Sequence, residues 1–148
     1  MRQLAGVLVL GLLTACAPAT TTPKSSLAAQ ATLQGSQLTV TVVNTGPYDL
    51  LLEDGCPRPF TAGFNVLPVP NDLSASNADQ PCVASILPPR LWRVGERLSA
   101  SLTVALPVGT RTVQAWARPR VRLAPGGQPQ GDVKVLDVVT PTFTITVR

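Results

Sequence analysis

The chemistry open to this chain is set by three cysteines, Cys16, Cys56 and Cys82, in a sequence that has no histidine. A cysteine can act as nucleophile, metal ligand, acyl acceptor or half of a disulfide. The usual Cys–His and Ser–His pairings need an imidazole to take the proton, so neither can be assembled here. Carboxylates are the remaining general bases. Glu53 and Asp54 are neighbours, but adjacent residues of a strand point to opposite faces and do not converge on one bond. Asp54, just before Gly55, reads instead as a turn residue. Asn71, Asp72, Asn77 and Asp79 offer oxygen ligands for calcium, yet they lack the regular spacing of a calcium loop. Pro125-Gly126-Gly127-Gln128 does not open a helix and so cannot cradle phosphate in the usual way. The expectation is a chain with no catalytic residues, no metal and no cofactor.

Two of the cysteines have a simpler reading. If Cys16 is modified, Cys56 and Cys82 remain as an even pair, which in an exported chain points to a disulfide. Closing a loop of about 27 residues would contribute roughly 3.5 kcal/mol in the chain-entropy treatment. The alternative is a metal site, for which two isolated thiols without histidine make a poor zinc set.

Cys16 closes an N-terminal stretch in which Arg2 precedes an uncharged apolar run from Leu4 to Leu13. The run is too short to cross a bilayer core of roughly 30 Å as a helix, but it matches the apolar region of an export signal. Its last residues, Leu13-Thr14-Ala15-Cys16, resemble the lipobox of bacterial lipoproteins. That resemblance implies removal of residues 1–15, lipidation of Cys16 and attachment to the membrane through the lipid. An ordinary signal peptide with a chance cysteine, or a retained membrane helix, are the competing readings. Each buried CH₂ of an acyl chain is worth about 0.8 kcal/mol, so two or three chains anchor a protein firmly. In lipoproteins of didermic cells an aspartate after the cysteine favours the inner membrane; Ala17 stands there instead. The expected location is the cell envelope, facing the periplasm or the exterior.

The formal net charge is +4, falling to +3 without Arg2. This is too modest, and too little clustered, to point to nucleic acid. One basic group stands out. Arg118, Arg120 and Arg122 alternate with Pro119 and Val121, so an extended chain would put all three on one face together with Trp116. Such a strip suits phosphate or a lipid headgroup, or is simply a solvated face that resists aggregation.

The elements that must position these residues read as strands. Residues 16–26 hold no bulky apolar side chain and form a tether, about 3 Å per residue if extended. Residues 27–148 suit one domain. Its period is two: Leu38, Val40 and Val42 alternate with Thr39 and Thr41. Leu27 to Gln34 precedes them across the Gly35-Ser36 turn, and Tyr48 to Leu52 follows the Asn44-Thr45-Gly46-Pro47 break, giving a three-strand meander. Leu98 to Leu106 is the longest alternating run. Thr110 to Ala117, with Val113, Ala115 and Ala117 inward, Val133 to Val139 and Phe143 to Val147 complete the set. The stretch from Cys56 to Trp92 is the least regular, with short strands expected at Phe64 to Leu67 and Val83 to Leu87. With 15 prolines and 11 glycines punctuating strands and no helical pattern, the chain reads as an all-β, antiparallel sandwich.

The succession of Asn44-Thr45-Gly46, Val94-Gly95-Glu96, Leu106-Pro107-Val108-Gly109-Thr110-Arg111-Thr112-Val113 and a threonine-rich terminal strand is similar to immunoglobulin-like domains of bacterial envelope proteins. Those related to the BsuPI-type proteinase inhibitor are the nearest in kind. The resemblance spans about Gln37 to Val147. It implies an immunoglobulin-like sandwich acting as a non-catalytic binding or structural module toward an envelope protein or polymer, with proteinase inhibition as the alternative. Either function would use the proline-stiffened segments Cys56-Pro57-Arg58-Pro59-Phe60 and Leu87-Pro88-Pro89-Arg90-Leu91-Trp92, since a rigid segment loses little entropy on binding. Arg58, Arg90 and Trp92 are the candidate contact residues. The plainer reading makes both segments connections, with Trp92 capping the core.

Overall fold

Alternation of apolar and hydroxyl side chains lets a strand bury one face and leave the other in water, and the chain applies this repeatedly. The computed structural model describes residues 25–82 and 87–148. The expected signal at 1–15, Cys16, most of the tether and all but Leu87 of the strand expected at Val83 to Leu87 lie outside the described residues. Strand β1 (Ser26–Gln34) turns at Gly35 and returns as β2 (Gln37–Gly46). Leu38, Val40 and Val42 of β2 are buried, and Thr39 and Thr41 face outward. The next strands are β3 (Leu50–Leu52), β4 (Thr61–Val66), β5 (Ala75–Ser76), β6 (Arg90–Trp92) and β7 (Arg97–Thr103). They are followed by β8 (Gly109–Arg118), β9 (Arg120–Leu123), β10 (Gln130–Val135), β11 (Val138–Val139) and β12 (Phe143–Val147).

The strand pairs are antiparallel and assemble three sheets. The first runs β1-β2-β7, with Leu98, Ala100 and Leu102 of β7 opposite Val42, Val40 and Leu38. The second is centred on β8, with β4 and then β5 on one side and β11 and β12 on the other. The third runs β10-β9-β3-β6. One hydrophobic cluster joins all three: Val40 from the first sheet, Phe64 and Ala115 from the second, and Leu50, Trp92 and Val121 from the third. The chain is an antiparallel β-sandwich.

The expected meander stops after two strands. Gly46 is buried with φ +87°, a left-handed conformation that glycine adopts freely, and Pro47 follows, so the chain turns away before β3. Strand β3 then pairs with β6 and β9 rather than with β2. Asn44 holds this corner and is completely buried. Its Oδ1 accepts from Gly46 N at 2.9 Å and from Ser25 Oγ at 3.1 Å. Its Nδ2 donates to Tyr48 O at 3.0 Å and Trp92 O at 3.1 Å. A residue that reads as a turn former therefore ties three chain segments together, at Ser25, at Gly46 to Tyr48 and at Trp92.

Other boundaries shift for identifiable reasons. The strand expected at Val133 to Val139 is two, β10 in the third sheet and β11 in the second. Leu136 N donates to Pro119 O at 3.1 Å between them, which draws the chain from one sheet to the other. Likewise Pro119, buried and without an N–H, separates β8 from β9. Thr61 to Val66 replaces the shorter strand expected from Phe64. No described helix is long and apolar enough to cross a membrane.

Candidate binding groove

The two proline-rich segments meet. Strand β3 delivers Leu52 to the core and continues through Glu53 and Asp54 into the first segment; the second segment leads into β6. Leu87 N donates to Gly55 O at 3.1 Å and links them. Cys56 and Cys82 form a disulfide with Cα atoms 5.1 Å apart, fixing the first segment to the loop after β5. Arg58 holds that loop as well, since its guanidinium donates to Asn77 O and Gln80 O, both at 3.0 Å. Asn77 is buried, and its Oδ1 accepts from Ala62 N at 2.8 Å on the edge of β4.

Between the segments and the start of β7 lies a groove of about 370 Å³. Leu52 and Leu98 contribute apolar surface, and Pro57, Pro59 and Pro88 are among its stiff walls. Arg90, Arg97 and Asp54 bring charge to it. Arg90 is ion-paired with Glu96, whose other carboxylate oxygen accepts from Arg93 N at 3.1 Å. Arg97 has no ion pair among the described residues. Asp54 Oδ1 accepts from Cys56 N at 3.2 Å, so its carboxylate shapes the turn at the bridge. Ser99 also lines the groove, with its hydroxyl 2.7 Å from Thr41 Oγ1. Proline walls, apolar surface and a cation of this kind can hold an extended chain.

The three expected contact residues have different fates. Arg90 lies on the groove and is exposed. Arg58 is half-buried and committed to the carbonyls of Asn77 and Gln80, so it stiffens the wall. Trp92 is a correction: it is 0 % exposed and its Nε1 donates to Glu96 O at 2.9 Å, so it supports the groove from the core and cannot touch a partner. Its size made it an attractive anchor, but its place opposite Leu50 on the inner face of the third sheet buries it. Missed in the sequence were Arg97 and Ser99, because only the sheet order brings the start of β7 to the proline segments.

Two arginines of the basic strip, Arg118 and Arg122, are taken up by partners. Arg118 Nε lies 2.6 Å from Asp137 Oδ1, and its guanidinium sits 4.8 Å from the centroid of the Trp116 ring. That ring crosses Gly63, where a Cβ would stand 2.5 Å from Trp116 Cζ2. Arg122 pairs with Glu53 at 3.2 Å. Of the oxygen-rich residues, Asn71 donates to Val66 O and Pro68 O, and Asn77 holds β4, so both amides are bound to backbone.

No family model matches the chain, and no curated protein matches it. Among solved structures, the chain is similar to one described as the X-ray structure of Northeast Structural Genomics Consortium target SoR45. That similarity covers 84 % of this chain and 86 % of the other, at a TM-score of 0.35 and 9 % identity.

Proposed function

We propose that this is a lipid-anchored protein of the cell envelope that acts as a non-catalytic binding module, engaging an envelope protein or polymer through the groove between its proline-rich segments. The observation that carries the reading is the convergence of those segments, linked by the Leu87–Gly55 hydrogen bond beside the Cys56–Cys82 disulfide, on one concave surface. Preformed walls reduce the entropy lost when a partner docks. The disulfide supports an oxidising compartment, and the lipobox-like residues ending at Cys16 support attachment by acyl chains.

A photo-crosslinking residue at Pro88, on the groove wall, tests this in intact cells. The expected product is a defined covalent adduct with one envelope macromolecule, lost when the crosslinker is moved to Val139, an exposed site on β11 of the second sheet. Equal adducts from both positions, or none from Pro88, would refute the groove as the binding surface. A panel of proteases assayed with the purified protein addresses the inhibitor alternative; inhibition that follows the integrity of Pro88-Pro89-Arg90 would replace the general reading with that specific one.

A further inference from the structure

The groove has one wall made of strand edge, and the direction of its backbone can be derived. Val104 N donates to Ser36 O at 2.7 Å, and Asn44 N donates to Glu96 O at 3.2 Å. Both bonds join the ends of the β2–β7 ladder, so the even-numbered residues of β7 turn their N–H and C=O toward β2. Arg97, Ser99, Ser101 and Thr103 therefore turn theirs away from it. The side chains agree. Thr39 and Ser101 touch at 3.0 Å, and Thr41 and Ser99 at 2.7 Å, as expected of pairs that lack mutual backbone bonds and stand closer together.

Among the described residues, β7 ends its sheet. Natural edges are usually blunted by lysine, proline or a bulge. Strand β7 has no lysine or proline and keeps an unbroken register with β2; Arg97 is its one charge. The same residues, Arg97, Leu98 and Ser99, line the groove together with Pro59 and Leu87. Among the described residues, the outward backbone donors and acceptors of Arg97 and Ser99 thus pair with no further strand where they border an apolar, proline-walled groove.

We propose that an extended segment of a partner polypeptide adds to β7 as a further strand of the first sheet. Its main chain would bond the outward groups of Arg97, Ser99, Ser101 and Thr103. Alternate apolar side chains would enter the groove, and an acidic residue would meet Arg97. Strand addition of this kind draws affinity from main-chain bonds and selectivity from the pockets beside them. The inference rests on the groove reading above and specifies the partner's chemistry.

The test uses the full chain in mild detergent. The probe is a blocked peptide as long as β7, alternating valine and threonine, with one glutamate near the C-terminal end that antiparallel pairing brings to Arg97. Backbone amide resonances of Ser99, Ser101 and Thr103 should shift on titration. N-methylation of the peptide amides that face β7 should weaken binding by about tenfold or more, whereas methylation of the opposite amides should change it by less than about threefold. Arg97→Glu should weaken binding, and replacing the peptide glutamate by lysine should restore it. Because both methylated peptides act on the unaltered protein, no folding defect can mimic the result. Equal binding of the two, with shifts at Leu87 and Leu98, would overturn strand addition and leave the groove reading in place. Absence of binding to the probe would also overturn it, and the crosslink at Pro88 would then decide the groove reading separately. A dimer formed through β7 without peptide would overturn the choice of occupant.

Discussion

Replacing Asn44 by alanine removes one side chain and four hydrogen bonds, and the consequence can be worked through group by group. Tyr48 O keeps Ser25 Oγ as a donor at 3.0 Å, so that pair survives. Gly46 N and Trp92 O lose the side-chain partners they had at 2.9 Å and 3.1 Å. Trp92 O still faces Leu50 N in the β3–β6 ladder, so Gly46 N is the group left orphaned; an orphaned buried polar group costs about 1–3 kcal/mol, and the domain should be destabilised by about that much. For a domain of this size that corresponds to a melting temperature lower by roughly 4–12 °C. Denaturant titration followed by tryptophan fluorescence should show the transition midpoint falling with little change in slope, as expected when stability alone is altered. Asn44→Asp sharpens the test. A carboxylate can still accept from Gly46 but cannot donate to Tyr48 or Trp92, and its charge would be buried. At neutral pH it should be at least as damaging as alanine. If either variant lay within about 1 kcal/mol of the natural protein, Asn44 would not be the residue that holds the corner.

Cys56→Ser should lower stability by roughly 2–4 kcal/mol, and non-reducing mass spectrometry of the natural protein should recover Cys56 joined to Cys82; two freely alkylatable thiols would contradict the bridge. Trp92→Ala should cost about 3–5 kcal/mol by opening the core. Arg90→Ala, which breaks an exposed ion pair, should cost less than about 1 kcal/mol, so thermal melts of the two variants should differ widely. Cys16→Ala should abolish acyl labelling and release the protein from the membrane fraction; labelling at the natural level would refute lipidation at that residue.

The alternation in β2, β7 and β8 was legible because period two has a direct physical meaning: Leu38, Val40 and Val42 have no other way to leave water together. The cysteine pair was legible from number and compartment. What the sequence did not reveal were choices of partner. Nothing in Leu50-Leu51-Leu52 says that this strand joins β6 and β9 instead of β2, since that follows from the corner at Asn44 and Gly46. The proline-rich segments were identifiable as stiff, but their meeting across Leu87 and Gly55, and the third wall from β7, depend on contacts between residues far apart in the chain. Arg58 and Trp92 have the side chains of interface residues. Their engagement with Asn77 and with Glu96 turned both into supports.

Pro119 has a consequence for misfolding. Sliding the β8–β9 ribbon by two residues would preserve every inward and outward assignment, because the pattern repeats every two, and so hydrophobic burial alone does not penalise that error. The slide would, however, carry proline to the place of Ala117 or of Val121, both of which are paired with neighbouring strands. A residue without an N–H disrupts a ladder there. The ring that passes the chain from one sheet to another thus also serves as a stop, marking the alignment at which both sheets close and rejecting slipped alignments that would satisfy the core equally well.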